Sequence, residues 1–204
     1  MSRAVVLLSG GIDSAAALAW ARQKYEEPIA ISFQYHLRPF RERAAVYRLL
    51  QHFPARLFEV PLPFLKEASD ANHHLASTAP QGYISNRNII FYSIAAYYAE
   101  MNHCSVIVGG HTAEDQDAFP DAGAKFLDKL QELANEALLF GTIHIELPLI
   151  QMSKLQVLEK ALQWNVPLHY TWSCYWDAPS PCGKCTSCIE RAEAFAKLGA
   201  VDPL

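Results

Sequence analysis

The chain has 204 residues, of which 51% are hydrophobic and 19% are charged, and its formal net charge is −4 at pH 7. This length suits one well-packed domain, and the acidic balance argues against a protein whose main task is to coat nucleic acid. The sequence shows no signal-peptide pattern and no apolar run of about 18 residues. We therefore expect a soluble, cytoplasmic protein without a membrane span.

Apolar segments alternate with helix-period segments along the chain. Strands are predicted over residues 4–8, 29–33, 56–60, 105–108 and 143–147, and helices over 12–24, 40–52, 88–101, 124–139 and 154–163. Such alternation is typical of an α/β fold, in which a parallel five-stranded sheet is covered by helices on both faces.

Three segments are expected to lie outside the strands and helices of this fold. Residues 61–82, which include His73 and His74, are interpreted as a loop over the ligand-binding edge of the sheet. The stretch 113–123 has the composition of a turn-rich loop. The Pro- and Cys-rich segment 172–188 lacks the aliphatic residues of a core, so we expect a small structure held together by its own cross-link.

The hexapeptide SGGIDS, residues 9–14, follows the first predicted strand and opens the first helix. Glycines let the backbone approach a ligand, and a helix N-terminus adds free N–H groups and the positive end of its dipole. The alternative is a tight turn with a Ser or Asp cap. Two hydroxyls and the carboxylate of Asp13 favour a phosphate site, whereas the spacing matches neither a Walker loop nor a dinucleotide fingerprint.

Four cysteines lie close together near the end of the sequence, Cys174, Cys182, Cys185 and Cys188, with the spacing C-x7-C-x2-C-x2-C. Four thiolates so spaced suit one tetrahedral, structural zinc ion per chain. Two disulfides are the alternative, but they would need an oxidising compartment. Cys104 stands alone, and we expect it to be an inert buried thiol.

Together, the hexapeptide and the cysteine tail resemble the 7-cyano-7-deazaguanine synthase family, also called QueC or ExsB, of the PP-loop ATP-pyrophosphatase superfamily. The likeness covers nearly the whole chain and includes the segments FQYHLRPFRE, ISNRNIIF, GGHTAEDQDAFPD, IELPLIQMSK and PCGKCTSC. It implies a Rossmann-like ATP-binding domain over residues 1–170, a zinc tail over residues 171–204 packed on that domain, and commonly a homodimer.

The resemblance also implies the chemistry, which is that of an ATP-dependent carbon–nitrogen ligase in queuosine biosynthesis. ATP and Mg²⁺ would adenylate the carboxylate of 7-carboxy-7-deazaguanine, ammonia would convert it to the amide, and a second ATP would drive the amide to the nitrile. Ammonia would arrive free or from a partner glutaminase, and an acceptor protein is a further partner compatible with the family.

Site residues follow from the same resemblance. It implies catalytic roles for Asp13, Ser14, Arg87 and Lys154, with Asp13 as a metal ligand or as the residue that shapes the turn. The nucleotide would be contacted by Leu8, Ser9, Gly10, Gly11, Ile12, Asp13, Ser14 and Phe33. The deazapurine would be contacted by Tyr35, Arg38, Asn88, Asp115, Phe119 and Asp121. The structural alternatives are core packing for the apolar residues, solvated surface charge for the basic ones and turn formation for the acidic ones.

The chain departs from the family pattern in two places. His36, Leu37 and Pro39 replace Gly, Gln and His, and Ala122 and Gly123 replace Cys and Arg. These changes leave ATP use untouched. They leave an alternative function open, in which a related enzyme activates the same or a similar acid for a different amine, or stops at the amide.

Two other classes are weighed against the ligase. A tRNA-thiolating PP-loop enzyme would need a nucleic-acid surface and a reactive cysteine pair or cluster, which the acidic balance and the tightly grouped cysteines disfavour. A non-catalytic, zinc-bearing interaction module would carry a hexapeptide that binds no ATP.

Overall fold

A computed structural model describes residues 2–66 and 79–204. Within these residues the strands are β1 (Ala4–Leu7), β2 (Ile29–Tyr35), β3 (Arg56–Leu62), β4 (Val106–Val108) and β5 (His144–Glu146). The helices are α1 (Ile12–Lys24), α2 (Phe40–His52), α3 (Arg87–Met101), α4 (Ala113–Ala118), α5 (Ala124–Ala137), α6 (Lys154–Gln163) and α7 (Thr186–Leu198), with a 3₁₀ turn at Leu168–Tyr170.

The strands form one parallel sheet in the order β3-β2-β1-β4-β5. β1 is central, and its Val5 pairs with Ile29 of β2 on one side and Ile107 of β4 on the other. The strand order reverses between β1 and β4, and a sheet of this kind binds ligands beyond its carboxyl edge at such a reversal. The loops that follow β1 and β4 therefore flank the expected ligand site.

Buried side chains form a hydrophobic cluster on each face of the sheet. On one face, Val6 and Val108 pack with the alanine-rich α1 and with α6. On the other face, Val5 and Ile107 pack with α3 and α5. The predicted parallel sheet with helices on both faces is thus confirmed. None of the helices in the described part of the chain is both long and apolar enough to cross a bilayer.

All predicted strands and helices are present, with ends that differ by at most two residues. The expectation of a turn-rich loop after β4 was wrong in part, because α4 forms there. Its cause is a capping box, in which the Thr112 hydroxyl accepts from the Asp115 N–H and the Asp115 carboxylate accepts from the Thr112 N–H. His73 and His74 lie outside the described residues.

The tail packs against the loop that follows β1 and against α2. Trp172 and three of the tail cysteines form a small buried cluster with Ala45 of α2, and the Trp172 N–H donates to the carbonyl of Gly10 at 2.9 Å. The helix α7 was not among the predicted elements, and it packs beside α6.

Candidate active site

The Ser14 hydroxyl holds the loop between β1 and α1 in one conformation. Its Oγ accepts from the backbone N–H groups of Ser9 and Gly10, each at 3.2 Å, and donates to the Gly11 carbonyl at 3.1 Å. Ser14 is only 7% exposed. One buried side chain therefore makes the hydrogen bonds that keep this loop compact.

The two glycines of the loop meet different requirements. Gly10 has φ +106°, and a Cβ there would overlap the carbonyl oxygen of Glu42 in α2, so only glycine fits. Gly11 is the N-cap of α1 and supplies no side-chain cap. The N–H groups in the first turn of α1 are therefore available to an anion.

Arg38 ties the loop to β2 and α2. Its guanidinium donates to the carbonyl of Ser9, to Ser32 Oγ at 2.9 Å, to the Phe33 carbonyl at 2.6 Å and to Glu42 Oε2 at 3.1 Å. The side chain is 3% exposed. Since these donors are engaged by protein acceptors, the geometry gives Arg38 the position of a scaffold residue for the loop, while its predicted contact with the deazapurine stays a prediction.

A cavity of about 400 Å³ opens where the strands end, which is within the usual size of a small-ligand site. It is bounded by the loop after β1, the carboxyl ends of β1 and β2, the first turns of α3 and α6, and the tail. Among the predicted site residues, those that line it are Leu8, Ser9, Gly11, Ile12, Asp13, Ser14, Phe33, Tyr35, Arg38, Arg87, Asn88, Asp115, Phe119 and Lys154. Gly10 and Asp121 do not line it, although the Asp121 carboxylate accepts from the N–H of the lining residue Asn88.

Leu8 and Phe33, the predicted adenine contacts, lie at the ends of β1 and β2. They are 1% and 6% exposed, and both line the cavity. The Phe33 ring stacks on Phe91 of α3, with 4.0 Å between ring centroids and 11° between planes. Core packing and cavity lining are therefore combined in the same two side chains.

Lys154 begins α6 and reaches across the cavity to α1. Its Nζ donates to Asp13 Oδ2 at 2.6 Å and lies 3.9 Å from Asp115 Oδ2. Burial alone would lower the pKa of Lys154, but the two carboxylates raise it above its usual value. Lys154 is therefore a fixed positive charge beside the loop.

Asp13 and Asp115 compete for this single cation. Burial raises the pKa of Asp13, against the opposing effect of Lys154. Burial would also raise the pKa of Asp115, but Lys154, His111 and two hydrogen bonds from Thr112 hold it below the usual value. A second cation at this position would relieve the repulsion between the two carboxylates.

His111 lines the same cavity, directly after β4, and sequence reasoning did not assign it. Its neighbour Gly110 packs so tightly on α1 that a Cβ would lie 2.9 Å from the Asp13 carbonyl oxygen. The imidazole stacks on Tyr92, with 5.8 Å between ring centroids. Burial lowers the pKa of His111 to about 4, despite the nearby Asp115 carboxylate, so the imidazole is neutral at pH 7.

Two glutamates in the cavity were also missed. Glu114 Oε1 accepts from the Lys154 N–H at 3.0 Å and so caps α6, while its buried Oε2 has no hydrogen-bond partner among the described residues. Glu190 comes from α7, and burial raises its pKa. The sequence around Glu190 gave no signal, since only the packing of α7 on α6 brings it to the cavity.

The start of α3 forms the opposite wall. The carboxylate of Asp121 accepts from the Asn88 N–H at 2.9 Å, so it holds the first turn of α3 in place. Asn88 is 3% exposed and its buried Nδ2 has no hydrogen-bond partner in the described part of the chain. Arg87 lies over the Phe119 ring, 5.9 Å from its centroid, and Tyr83 is parallel to the same ring within 5°.

The four tail cysteines converge as a metal site requires. The Sγ atoms of Cys174, Cys182, Cys185 and Cys188 all lie within 4.8 Å of one another, close to the spacing of about 3.8 Å expected for four sulfurs at 2.3 Å from one zinc. The described cysteines form no disulfide. Cys104 is a lone thiol, 5% exposed, and burial raises its pKa, which fits the predicted inert role.

Comparison with known proteins decides the family. The model of a family described as queuosine biosynthesis protein QueC matches residues 3–199. The chain belongs to the QueC family. This QueC-family chain is 32% identical to the 7-cyano-7-deazaguanine synthase of Methanosarcina mazei, over 99% of the chain and 97% of that protein. It is 35% identical to the enzyme of the same name from Acidobacterium capsulatum, with 99% and 95% covered. It is therefore an enzyme of the ATP-dependent ligase type.

Solved structures support the fold of this QueC-family member. An NMN synthetase from Francisella tularensis superposes with a TM-score of 0.53 at 20% identity, covering 98% of this chain and 78% of that one. A 4-thiouridine synthetase, solved with RNA and bound ATP, superposes with a TM-score of 0.56 at 20% identity, covering 97% and 50%.

Proposed function

We propose that the chain is a 7-cyano-7-deazaguanine synthase, which adenylates the carboxylate of 7-carboxy-7-deazaguanine with ATP and converts it with ammonia. The proposal rests on one observation, which is that a phosphate-binding feature and an unused polar donor line the same cavity. The uncapped N-terminus of α1 offers donors to phosphates, and the buried Nδ2 of Asn88 offers an unused donor to a polar ligand.

The loop end of the cavity suits the triphosphate. Backbone N–H groups at the start of α1 and the Ser9 hydroxyl lie at this end of the cavity, and Gly11 adds no side chain there. Lys154 and Arg87 supply positive charge to the oxygens that gain negative charge during adenylation. Asp13 and Asp115, together with the phosphates, would hold Mg²⁺, which screens charge on the triphosphate.

The α3 end of the cavity suits the deazapurine. A planar bicyclic base needs flat apolar surface and a few directed hydrogen bonds. Phe119 offers a flat ring in the cavity wall, and Asn88 offers a donor that is desolvated already. Leaving such a donor without a partner is costly, so a ligand oxygen or nitrogen that accepts from Asn88 gains specificity as well as affinity.

The proposed reaction consumes two ATP molecules, one for each adenylation. The carboxylate oxygen attacks the α-phosphorus, pyrophosphate leaves, and ammonia then displaces AMP to give the amide with loss of one proton. The amide oxygen then attacks the α-phosphorus of the second ATP, pyrophosphate leaves and the nitrogen loses one proton. Elimination of AMP with loss of the remaining N–H proton leaves the nitrile. His111 lines the same cavity near Asp115, where its neutral imidazole can accept or donate a hydrogen bond at the acyl group.

The test is base-dependent release of AMP. Purified protein is incubated with ATP, Mg²⁺ and ammonium, with and without 7-carboxy-7-deazaguanine, and AMP is quantified. AMP should form only with the base. Asn88→Leu should raise KM for the base more than KM for ATP, whereas Asn102→Leu, at the other end of α3, should change neither. AMP formation that is indifferent to the base would rule out this substrate.

Two alternatives are resolved when the mass of the product is also measured and the assay is repeated with tRNA in place of the base. A related ligase that stops at the amide, or that uses another amine, would release AMP with the base but give a different product. A tRNA-thiolating enzyme would release AMP only with tRNA.

A further inference from the structure

A second, smaller cavity of about 130 Å³ lies beside the tail. It is formed by α2, the 3₁₀ turn at Leu168–Tyr170, residues 179–181 and Leu204. Trp172 lines both this cavity and the larger one. We call the smaller cavity the α2 cavity.

The α2 cavity is lined by two arginines whose charge is not neutralised. Arg41 and Arg48 are seven residues apart on α2, so they project from the same face of the helix, about 10 Å apart along its axis. Among residues 2–66 and 79–204, no ion pair joins either guanidinium to a carboxylate. His169 adds a third nitrogen-bearing side chain to the wall.

Two carboxylates near this cavity already accept hydrogen bonds from groups other than the lining guanidinium groups. Asp177 accepts from the backbone N–H of Arg41 at 3.3 Å and so caps the first turn of α2. Asp202 forms a two-point pair with Arg191, at 2.7 and 2.8 Å. The positive charge of the two lining arginines is therefore available to a ligand.

Trp172 supplies a second, independent observation. It is 6% exposed, and its buried Nε1 has no hydrogen-bond partner among the described residues. The guanidinium of Arg41 lies over the indole ring, 5.4 Å from its centroid, which fixes the orientation of that charge. An N–H donor without a partner, in a side chain that lines the cavity next to a positioned guanidinium, is the chemistry of an anion site.

We propose that the α2 cavity binds a small tetrahedral oxyanion of the phosphate class through Arg41, Arg48 and Trp172. The volume corresponds to about four water molecules, which fits one phosphate group and not a nucleoside. The ligand is inorganic phosphate or the terminal phosphate of a small ester. This site is separate from the proposed ATP site and does not depend on the proposed reaction.

Calorimetric titration with inorganic phosphate tests the proposal. The main cavity is first blocked with Mg²⁺ and a non-hydrolysable ATP analogue, and the titration is repeated without the analogue. Arg41→Gln and Arg48→Gln are compared with Arg43→Gln. The control residue lies on the same helix and loses the same charge, but it is paired with Glu59 at 2.8 Å and does not line the cavity.

The wild-type chain should bind one phosphate per chain in the α2 cavity. Arg41→Gln and Arg48→Gln should each weaken binding by about tenfold, as expected for the loss of a charged hydrogen bond, and Arg43→Gln should leave affinity within about twofold. Melting curves check that each variant is folded. Equal affinity in all four proteins, equal loss in the control, or no binding in any protein would overturn the proposal.

Ribose 5-phosphate distinguishes the two sources of the ligand. Binding as tight as that of inorganic phosphate, with the same dependence on Arg41 and Arg48, assigns the site to terminal phosphate esters. Binding of inorganic phosphate alone assigns it to the free ion. Failure of the ATP analogue to bind would count against the proposed function, while the comparison of the arginine variants would still decide the α2 cavity.

Discussion

The Nζ atom of Lys154 donates a hydrogen bond to Oδ2 of Asp13 at 2.6 Å, which joins the first turn of α6 to the first turn of α1. The two residues are 141 positions apart in the chain, and both side chains are partly open to the main cavity, at 22% and 28% exposure. A bound triphosphate would meet this pair at the point where the loop donors converge. The pair therefore holds a cation in place before the nucleotide arrives.

Lys154→Met should abolish most of the activity with little loss of fold. Removing one charge that stabilises the developing negative charge costs about 10²–10³ in kcat. The control is Lys160→Met on the same helix, whose Nζ donates to Gln163 at an exposed position. Base-dependent AMP formation is measured for both. Near wild-type rates in Lys154→Met would exclude Lys154 from catalysis.

Arg38→Lys should weaken ATP binding more than it slows turnover. The lysine keeps the charge but cannot reach Ser9, Phe33 and Glu42 at once, because it lacks the planar fork of the guanidinium. We expect the KM for ATP to rise about tenfold and stability to fall by about 2 kcal/mol.

Steady-state kinetics and urea unfolding measure these effects. Arg22→Lys is the control, since Arg22 makes an exposed contact with the Pro54 carbonyl on the far side of α1. If the KM for ATP is unchanged while stability falls, Arg38 stabilises the fold and does not contribute to ATP binding.

Much of this architecture is predictable because it depends on local patterns. The strand that ends at Leu7, the glycines at 10 and 11 and the helix that starts at Ile12 follow from apolar runs and backbone requirements within a few residues. The cysteine cluster follows from spacing, since Cys185 is the N-cap of α7 and Cys188 lies three residues on, in its first turn.

What could not be predicted depends on contacts distant in sequence. In the sequence, Arg38 matches an arginine of the family motif and was predicted to contact the ligand. Only the fold shows that its guanidinium donates to the carbonyl of Ser9 and the carboxylate of Glu42. His111 and Glu190 face the cavity because β4 and α7 pack where they do. No local pattern encodes that placement.

His111→Gln should flatten the dependence of stability on pH. The unfolded histidine binds a proton below about pH 6.5, but burial prevents the folded imidazole from doing so until about pH 4. The unfolded state thus binds more protons in this window, and stability falls as the pH is lowered. The glutamine variant should lose less stability than wild type from pH 6.5 to 4, by up to about 3 kcal/mol.

Urea unfolding across this pH range provides the measurement. His144→Gln removes an exposed histidine from β5 and is the control, with a curve that should follow the wild type. Parallel curves for His111→Gln and wild type would show that His111 takes up its proton as readily in the folded protein as in the unfolded chain.

The cysteine cluster should hold one zinc ion per chain, and Cys185→Ser should release it. Metal analysis is the direct measurement, and the melting temperature should fall together with the zinc content because the tail has only a small apolar cluster of its own. Cys104→Ser is the control, since that thiol is far from the cluster in sequence and is not part of it. Full zinc content in Cys185→Ser would contradict the assigned ligand set.

The central claim is that this cavity activates the carboxylate of a 7-deazaguanine with ATP, and the mass of the base after incubation with ATP, Mg²⁺ and ammonium tests it most directly. The account predicts a product lighter than 7-carboxy-7-deazaguanine by about 19 Da, the nitrile, with an intermediate lighter by about 1 Da, the amide. A base that is recovered at its original mass while ATP is consumed would contradict the account.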